Sequence, residues 1–345
     1  MDLDGKTLAD WLLSQPVGNL PKRSFAYQAN YAALASNLEP LHREVTTTAN
    51  RMDGGYLTDH GPDHIRKLIS RISDLLSAGD GFITAYEAYI LLCAAQFHDV
   101  GNIFGRDRHE EKSWQIMERN RATLPPDTIE QRLIYDIAKA HGGERKDKLS
   151  DMQRTYDIAQ TTVRPQLLAA ILKFADELAE DSERAARYTA HLGLLGGSEI
   201  FHEYALALQN VSIDGPSREV RFQFEMPVSK AVRTFAKGSP GATSGVYLLD
   251  EIFKRTMKCH CERMYCSRFM RSVVDLTAVS VNIAVTNDAG FKVEETIAYK
   301  LAETGYPDSS GQDIYEVCED LTHWKNVGRL NGLALKSELE QTHVQ

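Results

Sequence analysis

No part of this sequence is apolar for long enough to span a bilayer. The longest nearly continuous apolar stretch is the ten residues from Ala88 to Phe97, against the roughly 20 that a spanning helix needs. Cysteine is also scarce. Five in 345 residues, an odd number without framework spacing, suit a reducing compartment and exclude a disulfide scaffold. Positive charge is in deficit: the formal net charge is −9 and the pI near 5.7. That speaks against a broad duplex-nucleic-acid surface but leaves room for a local basic pocket for a phosphorylated small molecule. The opening residues, Met1-Asp-Leu-Asp-Gly-Lys6, have neither a positive n-region nor an apolar core, so no signal peptide is expected. Repeats and low-complexity segments are missing too. The chain is expected to be cytoplasmic, with no membrane and no duplex nucleic acid among its partners.

What is present is the composition of a globular protein, 43% hydrophobic and 25% charged, long enough for one large domain with a smaller companion. Helical periodicity runs from Leu8 to Leu13, Asn30 to Leu41, Ile65 to Leu76 and Ala85 to Phe97. Further helices are predicted from His109 to Asn120, Thr128 to His141 and Pro165 to Tyr188, with Pro165 at a first helical position and Gly142-Gly143 as a stop. After residue 195 the pattern changes. Tyr204 to Ile213 and Glu219 to Met226 read as strands, 237–245 as a loose loop, Val246 to Met270 as a long helix and Leu276 to Thr286 as a β-branched run. The expected fold is mainly α, with a small C-terminal α+β subdomain of order β-β-α-β. The expected division is a helical extension over 1–50, a core over 51–195, the α+β part over 196–290 and a polar, partly helical tail over 291–345.

The pair His98-Asp99 closes the longest apolar stretch. Desolvating an imidazole and a carboxylate together costs roughly 2–7 kcal/mol for each unless something satisfies them. A divalent metal is the usual partner, because both groups are good ligands. Other residues of the same kind stand in similar places. Tyr56-Leu-Thr-Asp-His60-Gly-Pro-Asp-His64 leads into an apolar-periodic helix, His109 starts another after Gly105-Arg106-Asp-Arg108, and His141 ends a third. Lys173-Phe-Ala-Asp176-Glu177-Leu178 places a carboxylate inside an apolar helix, where Asp is rare without a partner. Cys259-His-Cys261-Glu-Arg-Met-Tyr-Cys266 invites a zinc reading. Its first two cysteines point about 200° apart on a helix, however, so they are expected as helical core residues.

In these residues the chain resembles the HD-domain superfamily of metal-dependent phosphohydrolases, defined by a His, a His-Asp pair and a distant Asp on helices. The match is His64, His98-Asp99 and Asp176, and the phrases Phe97-His-Asp-Val-Gly101 and Phe174-Ala-Asp-Glu-Leu178 look much like the family's own. The resemblance covers about residues 50 to 190 and implies an HD-type helical bundle. The family places an aliphatic residue four positions after its first ligand. Leu68 follows His64 in that way, whereas His64 follows His60, which leaves His60 either to support the ligands from behind or to face the substrate. Two-metal members add histidines after the His-Asp pair, and His109 and His141 stand at matching places. Where those members often carry a His-His pair, this chain has Ala140-His141-Gly142.

The resemblance therefore implies one or two divalent ions per chain (Mn, Mg, Fe, Co, Ni or Zn) held by His64, His98, Asp99, Asp176, His109 and His141. Asp99 would bridge the ions, His60 or Glu177 would move protons, and Lys67, Arg106, Arg108 and Lys173 would face phosphate. The expected activity is hydrolysis of a phosphoester or phosphoanhydride bond in a nucleotide, with a deoxynucleoside triphosphate or monophosphate first. A cyclic oligonucleotide phosphodiesterase or a single-strand nuclease is the alternative. The non-enzyme alternative is a metal-stabilised sensor or partner-binding protein. The same motifs also look like a bacterial subgroup linked to antiviral defence. Superfamily nucleotide hydrolases are commonly oligomers, so a homo-oligomer is expected, with room for a regulatory partner protein.

Overall fold

The structure, a computed structural model, describes residues 1–21, 24–53, 58–142, 148–158, 160–180, 182–239, 242–287, 289–303, 313–325 and 328–342. Tyr56, Leu57, Gly143 and the loop residues Pro240 and Gly241, all singled out in the sequence, lie outside the described residues. Chain contacts divide the protein into two compact units, one of residues 1–179 with 265–275, the other of 180–264 with 276–345.

The first unit is helical. It contains α1 (Leu8–Ser14), α2 (Tyr27–Asp53), α3 (Pro62–Ala78), α4 (Ala85–Phe97), α5 (His109–Arg119), α6 (Thr128–Lys139) and α7 (Pro165–Leu178), with a short hairpin of β1 (Tyr156–Ile158) and β2 (Thr161–Val163) between the last two. α4 is the axis of the bundle, because all of its side chains are buried. It starts on a capping box in which Thr84 accepts from the Glu87 amide while Glu87 accepts from the Thr84 amide. α3 and α7 each begin with a proline in the first turn. α3 turns Ile65, Leu68, Ile72, Leu75 and Leu76 inward at helical spacing.

α7 stops at Leu178, short of the expected Tyr188. The Ala179 amide bonds the Asp176 carbonyl at 3.0 Å, and Arg71 Nε donates to the Leu178 carbonyl at 3.2 Å, so the last turn is closed off. Among the described residues, no helix is long and apolar enough to cross a membrane.

The second unit is mixed. After α8 (Arg187–His191) and α9 (Glu199–Ala207), β3 (Leu208–Asp214) and β4 (Glu219–Pro227) form an antiparallel pair. α10 (Val228–Ala231), β5 (Thr234–Ser239), β6 (Ala242–Tyr247) and α11 (Leu248–Met270) then carry the chain over to β7 (Ala278–Thr286), which pairs with β4 in parallel. β8 (Ile297–Ala302) closes the sheet in the order β3-β4-β7-β8, before α12 (Ile314–Val317) and α13 (Gly332–Thr342). The β-β-α-β order is present, with β8 added to it.

Two local expectations change. Tyr204 to Ala207 belongs to α9, because Ile200, Tyr204, Ala205 and Ala207 are buried at helical spacing. The expected loose loop over 237–245 falls mostly within a hairpin, β5 pairing with β6 from Thr234–Tyr247 to Ser239–Ala242. Phe235 anchors it in the core, and Lys237 pairs with the buried Glu251. Arg184 is buried and lies 3.9 Å from Glu180.

Candidate metal centre

Four helices of the first unit bring their polar ends to one point. His64 comes from the first turn of α3, His98 and Asp99 from the end of α4, His109 from the first residue of α5 and Asp176 from the last turn of α7; His141 follows α6 by two residues. His64 and His98 are buried, and Asp99 and His141 nearly so. Three of these residues form one group (His64, His98, Asp99), and Asp99, His109 and His141 form a second.

Asp99 belongs to both groups through different oxygens. Its Oδ2 lies 3.3 Å from His98 Nε2 and 3.8 Å from His64 Nε2. Its Oδ1 lies 3.2 Å from His109 Nε2 and 3.4 Å from His141 Nε2. Asp176 Oδ1 completes the first group, 3.3 Å from His64 Nε2 and 3.7 Å from His98 Nε2. Asn102, which carries no motif of its own in the sequence, donates from Nδ2 to Asp99 Oδ1 at 3.1 Å and fixes the carboxylate plane. Its only sequence signal is its place three residues after Asp99, in a 3-10 turn over Val100–Phe104.

The ring tautomers are set by the backbone. The Nδ1 atoms of His98, His109 and His141 lie 2.8, 3.1 and 2.6 Å from the carbonyls of Ala95, Arg106 and Ala138. Each ring therefore donates from Nδ1 and turns Nε2 inward. His109 Nε2 and His141 Nε2 then stand 3.4 Å apart, both facing Asp99 Oδ1. Three acceptors converging so closely repel one another unless a cation or protons lie between them. The donor set, imidazole nitrogen with carboxylate oxygen, fits a divalent metal.

The electrostatics agree. Burial opposes charge on His98, yet the Asp99 and Asp176 carboxylates outweigh it and hold the imidazole well above its ordinary range. Burial likewise opposes charge on Asp99, but His98, His109 and His141 keep its carboxyl well below the usual range. Asp176 is held low in the same way by His64 and His98, and His109 is raised by Asp99. A site that draws protons this strongly offers the same atoms to a cation, with proton release on binding.

The remaining expected residues lie at graded distances. His60 rests its Nδ1 on the Thr58 carbonyl at 2.6 Å and turns Nε2 towards Asp99 Oδ2 at 3.9 Å, outside both groups. Thr46 of α2 accepts from the His60 amide at 2.8 Å. Glu177 and Lys67 are partly exposed on α7 and α3, and neither is in the groups. Arg106 and Arg108 are exposed and line a cavity beside His109. Lys173 donates to the His141 carbonyl at 3.1 Å, so the backbone of a cluster residue holds its ammonium. Lys148, unforeseen in the sequence, donates to the Gly142 carbonyl on the same turn and lies 3.5 Å from the buried Glu110. Cys259 and Cys266 are buried and Cys261 is exposed, all as free thiols.

A family model described as HD-CE matches residues 54–255, more than half of the chain. No curated protein and no solved structure matches it.

Proposed function

Since the chain belongs to the HD-CE family, we propose that it is a metal-dependent phosphohydrolase acting on a nucleotide. The observation that carries this reading is the two-sided carboxylate of Asp99, with one oxygen turned to His64 and His98 and the other to His109 and His141. His64, His98, Asp99 and Asp176 would hold one ion, and Asp99, His109 and His141 a second. A divalent cation lowers the pKa of bound water towards ~7 and polarises phosphoryl oxygen. Four imidazoles in the set favour Mn, Fe, Co, Ni or Zn over Mg.

The chain's own groups do the rest. His60, with Nδ1 tied to Thr58, keeps Nε2 on the side of the clusters and can pass a proton to a leaving oxygen. Glu177 is a second candidate for that step. Arg106 and Arg108 would neutralise charge on the substrate, with Lys67 as a further cation. Lys173 holds the His141 carbonyl and keeps further N–H donors, so it stays a candidate to meet phosphate.

The test is purified protein of measured metal content, assayed against the four dNTPs, NTPs, NMPs, cyclic dinucleotides and short single-stranded RNA with Mn²⁺, Mg²⁺, Co²⁺ or Ni²⁺. Release of phosphate or a shortened nucleotide is expected with at least one pair. His98→Ala and Asp176→Ala each abolish it, and Cys261→Ala leaves it intact. Bound metal without product from any pair rejects the enzyme in favour of a metal-stabilised sensor or partner-binding protein.

A further inference from the structure

A cavity of about 1250 Å³ opens beside the second cluster, and of the cluster residues only His109 lines it. We infer that this cavity receives a short single-stranded oligonucleotide, so that the bond cut is a phosphodiester; the inference rests on the phosphohydrolase reading. The volume exceeds the roughly 300–1,000 Å³ of pockets that take one drug-sized ligand. The walls are the residues leading into α5, one face of α6 and the segment around 148–156.

Charge selects among nucleotides. Three cations of the wall have a carboxylate beside them: Arg132 lies 3.2 Å from Asp136, Lys139 3.2 Å from Glu111 and Arg108 3.7 Å from Glu111. A triphosphate tail concentrates up to about four negative charges at one point, whereas the cations of the wall stand apart, before α5, along α6 and at Lys148. A phosphodiester strand carries one charge per linkage, with apolar bases between. Leu133, Met152 and Tyr156 offer the cavity apolar and aromatic surface for such bases.

Length points the same way. α6 ends at Lys139, two residues before His141, and Arg132 lies seven residues further back, about 10 Å along the helix. At about 3.4 Å per stacked nucleotide that distance spans two to three linkages. Arg132 is held in place for such a contact. Its guanidinium lies over the rings of Tyr135 and Trp114, 5.2 and 5.8 Å from their centres.

In the reaction, the oxygen of water bonds to phosphorus and the bond from phosphorus to the leaving sugar oxygen breaks. A proton from water ends on that oxygen, giving a phosphomonoester and an alcohol.

The experiment compares kcat/KM of the Mn²⁺-loaded full chain on single-stranded oligonucleotides of two, four and six residues with dNTPs and NMPs. Rates should rise about tenfold or more between two and four residues and exceed those on dNTPs, as a single additional hydrogen bond between Arg132 and phosphate predicts. Arg132→Gln should erase that rise, lowering the tetranucleotide rate about tenfold. It should also weaken binding of a phosphorothioate tetranucleotide to the chelator-treated protein, read by fluorescence anisotropy. dNTPs or NMPs cleaved as well as the oligomers, or a tetranucleotide rate unchanged by Arg132→Gln, overturn the oligonucleotide inference and leave the phosphohydrolase standing. Absence of product from every substrate with metal bound rejects the phosphohydrolase itself.

Discussion

At the scale of the residue, Asp99 is the shared element of two clusters, and substitutions should separate its role from those of its neighbours. Asp99→Ala should lower affinity for both ions by more than ~100-fold, a larger effect than losing a group that merely orients a ligand. His109→Ala should remove one ion and keep the other. Metal content after gel filtration, measured by mass spectrometry, reads both; two ions retained in Asp99→Ala would falsify the bridging assignment. Gly101 makes a different kind of contribution. A Cβ there would sit 1.8 Å from the His109 carbonyl oxygen, so only glycine lets α5 begin close enough to bring His109 to Asp99. Gly101→Ala is expected to cost about 1–3 kcal/mol of stability by overpacking and to release the second ion. An unchanged melting temperature with two ions bound would refute this.

At the scale of the element, the carboxylate of Glu87 does two things at once. It caps α4 through the Thr84 amide, and it receives the Arg164 amide, Nε and Nη2 at 3.0, 2.8 and 2.8 Å, which ties the start of α7 to the start of α4. Glu87 is buried but Arg164 is partly exposed, so losing these charge-assisted hydrogen bonds in Glu87→Ala should cost about 2–3 kcal/mol. Thr84→Ala, which removes only the side-chain cap, should cost about 1 kcal/mol. Urea denaturation measures the difference, and equal losses would mean that the link to Arg164 contributes nothing. The capping box joins residues three apart, whereas Arg164 lies 77 positions from Glu87, beyond the reach of any local pattern. The hairpin of β5 and β6 escaped for a related reason. Its Gly-Ser-rich strands carry little β signal, and the anchors Phe235 and Lys237–Glu251 act only once the chain is folded.

At the scale of the whole molecule, acid should weaken both units through histidines buried in neutral form. In the helical unit, desolvation lowers His42 to about 4, with its Nε2 donating to the Gln96 carbonyl at 3.0 Å. In the second unit, burial and then the charge of Arg263 lower His260 to about 4. Both folded values lie below the unfolded value near 6.5, so the unfolded chain binds more protons between the two. The stability is fully present above about pH 6.5 and is lost as pH falls towards 4, by up to about 3 kcal/mol for His42. Denaturant melts at pH 7.5, 6 and 5 should show a steady fall, reduced in His42→Gln and His260→Gln. A fall as large in the variants as in the parent would mean that neither ring stays neutral.

The metal pattern was readable because HD ligands occupy fixed phases of local helices. An apolar helix ending in His98-Asp99, a His64 with Leu68 one turn on and an Asp176 in an apolar stretch are each short-range facts. Local sequence likewise determined the helical body and the β-β-α-β order, since periodicity and caps act within one element. Tertiary structure alone decided which oxygen of Asp99 faces which histidine pair, and it set Lys173 against the His141 carbonyl. It also set Arg132 along a cavity that opens from His109. These are contacts between elements, fixed by how helices pack, and no single stretch of chain encodes the distance between two helix ends.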